Sequence, residues 1–215
     1  MPMAGLSMSA AGELFDVLVG SGPESLRFLR DNRVRDLGTE ASAAFVAGEG
    51  EQDVLVETNG TYMVKVGGRW EAVAGLKPGP TDSVARAHGS WWWASRTGLF
   101  KFSTPNDVKK VELPGSPFAS VALGAELLVA HATRDRVMVS SINAAGAIEN
   151  LYDGPLSALV ILGFAVSNVD GWAFGAKLSG TDNGLVLVRS PGKKFEPIGK
   201  QARLVALDGY NRLWY

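Results

Sequence analysis

The chain has 215 residues, 46% hydrophobic and 20% charged, and its 21 Lys and Arg nearly balance 22 Asp and Glu for a net charge of −1. That balance excludes a general electrostatic attraction to nucleic acid or an anionic membrane. With 0 Cys and only 2 His it also excludes disulfides, thiolate metal sites, Fe–S clusters and cysteine nucleophiles, so no metal and no cofactor is expected.

Met1–Gly12 is small and apolar but has no basic flank, and Glu13 and Asp16 follow directly. It is read as no signal peptide, which makes the expected protein soluble, cytoplasmic or borne on a virion. Leu14–Val19 and Leu26–Leu29 then read as two strands. Ser21-Gly22-Pro23-Glu24 has capping-box spacing and offers a helix through Leu29 and Leu37 as the alternative. The register of the later units favours strand. Arg27, Arg30, Arg33 and Arg35, interleaved with Asp31 and Asp36, form the densest charge cluster. It reads either as a dock for an acidic partner or as a solvated, self-neutralising face.

From here a pattern recurs. A small-residue strand ends in a Gly corner, a second strand follows, a turn leads to a third, and a polar strand completes the set. Ala41–Ala47 precedes Gly50, then come Asp53–Glu57, Asn59-Gly60, Tyr62–Val66 and Trp70–Ala74. Ser83–Ala87 precedes Gly89, then Trp91–Ala94, Thr97-Gly98, Leu99–Phe102 and Val108–Leu113. Ala119–Leu123 precedes Gly124, then Leu127–Ala130, Arg134-Asp135, Val137–Ser140 and Ile148–Tyr152. Ala158–Val166, the longest apolar run at nine residues, is about half of the roughly 20 residues that a membrane helix needs. It precedes Gly171 and Trp172–Ala176. An extended hairpin is expected across Val169–Thr181, then the turn Asp182-Asn183-Gly184, Leu185–Val188 and Phe195–Ile198. Ala202–Leu207, Gly209 and Leu213–Tyr215 end the chain.

The corners Gly12, Gly50, Gly89, Gly124, Gly171 and Gly209 are spaced by 38, 39, 35, 47 and 38 residues. Within strands the apolar positions alternate, as in Tyr62, Val64 and Val66 against Met63 and Lys65. Four strands per unit of about 40 residues is the pattern of an all-β fold, the β-propeller. Five blades are expected across a single domain, residues 1–215, with six including a composite blade as the alternative. Ala202–Tyr215 is the expected closing strand, with Gly5–Val19 as its partner, since closure removes an unpaired edge.

Ala94-Ser95-Arg96-Thr97-Gly98-Leu99-Phe100-Lys101-Phe102 and Thr181-Asp182-Asn183-Gly184-Leu185-Val186-Leu187-Val188 resemble the strand–turn–strand cores of two-component-regulator-type propeller repeats. The WD-repeat pair is absent, and the kelch double glycine occurs once, at Gly67-Gly68. The resemblance implies fold and carries no activity with it. Propeller-bearing nozzle and tail proteins of short-tailed phages offer a second likeness, which implies a virion tail component.

Trp91-Trp92-Trp93 places two indoles on one strand face and one on the other, so at least one is expected to meet solvent as a platform for a sugar or a partner. The competing reading is inter-blade packing. Trp70, Trp172 and Trp214 are placed in equivalent strands and read as core. His88 and His131 have no metal-ligand spacing and read as hydrogen-bonded structural groups. Asp16, Asp53, Asp170 and Asp208 lie near corners and read as turn formers, although carboxylate pairs serve glycoside hydrolysis in some propellers. Leu213-Trp214-Tyr215 ends the chain on three large apolar residues, expected to close the ring or enter a neighbour.

The expected function is a non-enzymatic scaffold within a larger, oligomeric protein assembly, with Trp91, Trp92, Trp93, Arg27, Arg30, Arg33, Trp214 and Tyr215 as partner-binding residues. A lectin-like, carbohydrate-binding propeller is the alternative.

Overall fold

The structure is a computed structural model that describes residues 6–8, 14–19, 26–30, 33–36, 43–46, 53–79, 82–155, 160–167, 171–178, 185–197, 206–207 and 213–214. These form strands joined by turns, and the strands group into antiparallel sheets. The first sheet comprises β1 (Leu6–Met8), β2 (Leu14–Val19), β3 (Leu26–Arg30) and β4 (Arg33–Asp36). The second comprises β5 (Ala43–Val46), β6 (Val54–Thr58), β7 (Thr61–Val66) and β8 (Arg69–Ala72). The third is β9 (Ser83–Ala87), β10 (Ser90–Ser95), β11 (Gly98–Phe102) and β12 (Lys109–Val111). The fourth is β13 (Ser116–Leu123), β14 (Glu126–Ala132), β15 (Arg136–Ile142) and β16 (Ile148–Pro155). The fifth is β17 (Val160–Ser167), β18 (Trp172–Leu178), β19 (Leu185–Arg189) and β20 (Glu196–Pro197), followed by the pair β21 (Ala206–Leu207) and β22 (Leu213–Trp214). In every four-stranded sheet spatial order equals chain order, so each is a meander.

Local chemistry explains the meanders. The β7 side chains alternate, with Tyr62 and Val64 buried and Met63 and Lys65 half-buried, the period of a pleated strand. Asn59 and Gly60 both have positive φ, at 49° and 71°, which is the type I′ turn whose twist matches a two-residue hairpin. His88 and Gly89 repeat it at 53° and 69°. Histidine tolerates this region better than β-branched residues do.

The chain divides into two compact units, Met1–Pro80 with Phe102–Lys109, and Thr81–Lys101 with Lys110–Tyr215. In the first unit β5 lies beside β1 and β2. Val54, Leu55, Val56, Tyr62 and Val64 are buried, and Phe45 meets Tyr62 edge-on with ring centroids 6.3 Å apart. The Ala74 amide donates to the Pro105 carbonyl at 3.0 Å.

In the second unit the first strands of successive sheets are neighbours: β9 beside β13, β13 beside β17, and β17 beside β21. Their small residues permit that approach. The two faces of β14 then fill two different cores. Leu127 and Val129 pack with Trp92, Ala94 and Leu99 of the third sheet. Leu128 and Ala130 pack with Leu187 and Phe195 of the fifth.

Most expected strands stand within two residues of their observed ends. Residues 26–30 are strand, as the register of the later units favours, so the helical alternative through Leu29 and Leu37 is set aside. Two readings change. Arg33–Asp36, read only as charge, is the fourth strand of its sheet, paired to β3. Finally, the hairpin expected inside Val169–Thr181 is not formed across 171–178, because Trp172–Leu178 is one strand paired on both sides by β17 and β19. The long spacing before Gly171 is taken up by longer strands, β14 to β17, of 7, 7, 8 and 8 residues. Gly12, Gly50, Gly209, Asp182-Asn183-Gly184 and the expected closure through Tyr215 lie outside the described residues. Among the described residues no helix is long and apolar enough to cross a membrane.

Candidate functional site

The tryptophan triplet occupies β10, the second strand of the third sheet. Trp91, Trp92 and Trp93 are 2%, 2% and 4% exposed, so the expected solvent-accessible platform is corrected to a buried one. The alternation is as expected, but both faces are covered. Trp92 enters the core shared with the fourth sheet and donates its indole N–H to the Ala87 carbonyl at 3.1 Å. On the opposite face Trp93 donates to Asp82 Oδ2 at 2.7 Å and lies 5.1 Å from the Phe100 ring. Cations stack on two of the rings, Arg86 on Trp91 and Lys101 on Trp92, each 5.3 Å from the centroid. Trp70 is on β8, an outer strand, half-buried, with Lys65 Nζ 6.0 Å above it. Trp172 is on a second strand. The two positions are therefore not equivalent, and Trp70 is not core.

Both histidines hold structure. His88 Nε2–H donates to the Ile142 carbonyl at 3.1 Å and ties the β9–β10 corner to the end of β15. His131 is 0% exposed, and its Nε2 lies 2.9 Å from Ser140 Oγ, while Nδ1 has no partner. An orphaned lone pair costs less than an orphaned N–H, so Nδ1 is the bare nitrogen and Nε2–H donates to Ser140. Ser140 therefore receives a hydrogen bond where a nucleophile would give one, and at 2% exposure it is closed to substrate. Burial lowers the His131 pKa, and the charge of Asp153 opposes this in part. Arg136 donates to Asp153 Oδ1, and that bond and charge raise the guanidinium pKa.

Two further polar contacts join sheets. Ser83 Oγ donates to the Ser120 carbonyl at 3.1 Å and accepts from the Ser120 amide at 2.9 Å, linking β9 to β13. Arg189 of β19 forms a fork with Glu126 of β14 at 2.7 and 3.3 Å, and its Nε–H donates to the Lys193 carbonyl at 2.7 Å. No local motif signals this pair, which is 63 residues apart in sequence. Among the described residues no group of three His, Asp or Glu side chains is placed to hold a metal ion.

A solvent-open concavity among the described residues of the second unit is a groove of about 230 Å³ where the β10–β11 turn and β12 face the start of β13. Arg96, Lys110 and Glu112 supply its charge and Pro117 part of its wall. Two glycines set its shape. Gly98 has φ +143°, and a Cβ there would come 2.9 Å from Lys110 Cε. At Gly115 a Cβ would fall 2.4 Å from the Ala132 carbonyl oxygen, so any side chain would push the backbone apart.

Of the other expected partner-binding residues, Arg27 lies opposite Asp36 and Arg30 opposite Arg33 in the β3–β4 register. Trp214 lies opposite Ala206. Tyr215 is outside the described residues, as are Asp170 and Asp208. The groove residues were missed because Arg96 and Lys110 belong to no motif. The one signal was the Thr97-Gly98 turn followed by a lysine pair.

No family model and no curated protein matches the chain. In structure it is similar to the extracellular domain of a protein assigned as a hybrid two component system in B. thetaiotaomicron, with a TM-score of 0.59 and 11% identity over 98% of this chain and 30% of that one. It is also similar to TolB from Acinetobacter baumannii, with a TM-score of 0.55 and 13% identity over 93% of this chain and 55% of that one. A third likeness is to a protein assigned as a 6-phosphogluconolactonase in Bacteroides uniformis, at 0.54 and 12% over 99% and 79%. The chain spans less than two thirds of the length of the first two. Identities this low speak to architecture alone. Repeated four-stranded meanders, first strand beside first strand, together with neighbours of β-propeller type, establish an all-β, propeller-type repeat fold.

Proposed function

We propose that this chain is a non-enzymatic interaction propeller, a scaffold component of a larger protein assembly, built as one five-bladed domain. One observation carries the reading. Described polar groups inside the sheets are bonded within the scaffold, His131 Nε2 to Ser140, Arg189 to Glu126 and Ser83 to Ser120, and among the described residues the His131 Nδ1 lone pair alone is buried without a partner. The charges left at the solvent-open concavity, Arg96, Lys110 and Glu112, suit docking more than bond-making chemistry. The setting proposed for that assembly is a phage virion tail. Burial of Trp91, Trp92 and Trp93 removes the residues on which the lectin alternative relied.

The test is recovery of the tagged full chain from its native source, followed by sedimentation velocity and cross-linking. The expected result is a defined complex with at least one other protein. Co-sedimentation with intact particles supports the virion setting. Recovery as a free 22.8 kDa chain overturns the scaffold reading.

A further inference from the structure

We propose that the groove at Arg96 and Lys110 receives a single carboxylate side chain from an acidic segment of a partner protein. This deepens the scaffold reading and rests on it. Arg96 is exposed and has no hydrogen-bond or ion-pair partner among the described residues. Lys110 reaches Glu112 at only 3.5 Å, with the two side chains 50% and 82% exposed. Water screens such a pair to little net attraction. The groove thus offers one uncommitted guanidinium and one weakly held ammonium against one carboxylate, and its surplus charge is positive.

Size and rigidity narrow the occupant. At about 230 Å³ the groove falls below the roughly 300–1,000 Å³ of small-molecule and cofactor sites, yet it admits a side chain of a docked segment. The Lys110 stem lies against Gly98, and Gly115 is pressed on the Ala132 backbone. The wall at Gly115 is therefore set before binding, while the exposed Arg96 and Lys110 side chains are ordered by the carboxylate that they receive. Ser116, exposed at the groove, adds a hydroxyl donor. A guanidinium fork with an adjacent ammonium and hydroxyl matches the planar, two-oxygen acceptor of Glu or Asp.

The experiment uses the isotope-labelled full chain and two capped peptides, Gly-Ser-Glu-Ser-Gly and Gly-Ser-Gln-Ser-Gly, titrated while amide shifts are followed by NMR. Inorganic phosphate is titrated separately. The Glu peptide is expected to shift Gly98 and Gly115, with the Gln peptide at least about tenfold weaker for loss of the charge-assisted bonds. Arg96→Gln should weaken the Glu peptide by about the same factor, while Lys101→Gln, outside the groove, leaves it unchanged. Equal shifts from both peptides, or an unaltered response in Arg96→Gln, overturn the proposal. Shifts from phosphate but not from the Glu peptide replace it with a simple anion site. If Arg96→Gln still assembles in the native complex, the groove is not the dock and the scaffold reading stands by itself.

Discussion

The fourth sheet is held on its two sides by different chemistry. Toward the third sheet the junction is an aromatic wedge: Trp92 packs on Leu127, Val129 and Ile142, with the neutral bonds of Ser83 to Ser120 and of His88 to the Ile142 carbonyl around it. Toward the fifth sheet the apolar filling is aliphatic with Phe164 and Phe195, and the tie is the Arg189–Glu126 fork. The contrast teaches that a repeat fold needs equal geometry at each junction and tolerates unequal energetics. One side depends on volume. The other depends on keeping a buried cation company.

Breaking the aromatic side should have the largest effect. Trp92→Ala removes the wedge and should cost about 3–5 kcal/mol of unfolding free energy, read by urea denaturation. A cost below about 1 kcal/mol would show that the wedge is not what holds that side.

The ionic side should respond less, and asymmetrically. Glu126→Gln strands the Arg189 charge, but the Glu126 side chain is 37% exposed against 5% for Arg189. Water therefore offsets part of the loss, and about 2 kcal/mol is expected, below the 3–5 of a fully buried pair. The double variant Arg189→Met with Glu126→Leu should recover most of it, since the buried charge is then gone. If the double variant is worse than the single one, the fork is net stabilising and the contrast between junctions narrows.

The smallest expected effect is a pH gradient on the aromatic side. Burial depresses the folded-state pKa of His131 below the ordinary 6.5. The neutral form is thus favoured when folded, and the unfolded chain binds the proton first as pH falls. The stability is fully present above about 6.5 and declines on acidification below it, as linkage requires. Comparing unfolding free energies of the chain and of His131→Gln between pH 8 and 5 should show a shallower slope in the variant. Identical slopes would remove His131 as the cause.

Much of this architecture was legible from residue pattern. Alternation in Thr61–Val66 and the Asn59-Gly60 turn are local physics, and they placed β6 and β7 to within a residue. Arg33–Asp36 was not legible as strand because three charges in four positions mask a period of two. Alternation also said that Trp92 faces away from Trp91 and Trp93, but it is silent on whether both faces are covered. The Arg189–Glu126 fork and the groove are long-range products of sheet stacking, and neither leaves a local signature. The candidate site was thus the least readable part. Exposed cations such as Arg96 and Lys110 look like any solvated surface until a neighbouring sheet makes a wall.

The identity of spatial and chain order within every four-stranded sheet has a kinetic consequence. Each sheet closes by neighbouring hairpins over a few tens of residues, so its contacts are short-range and their loop-closure cost is small. A sheet emerging from the ribosome has all of its strands before the next begins, and it can zip as it appears. The slower event is docking, where Trp92 and Arg189 must each find a surface made by a different sheet. Folding of this chain is accordingly read as quick local weaving followed by stepwise accretion, with the inter-sheet anchors setting the pace.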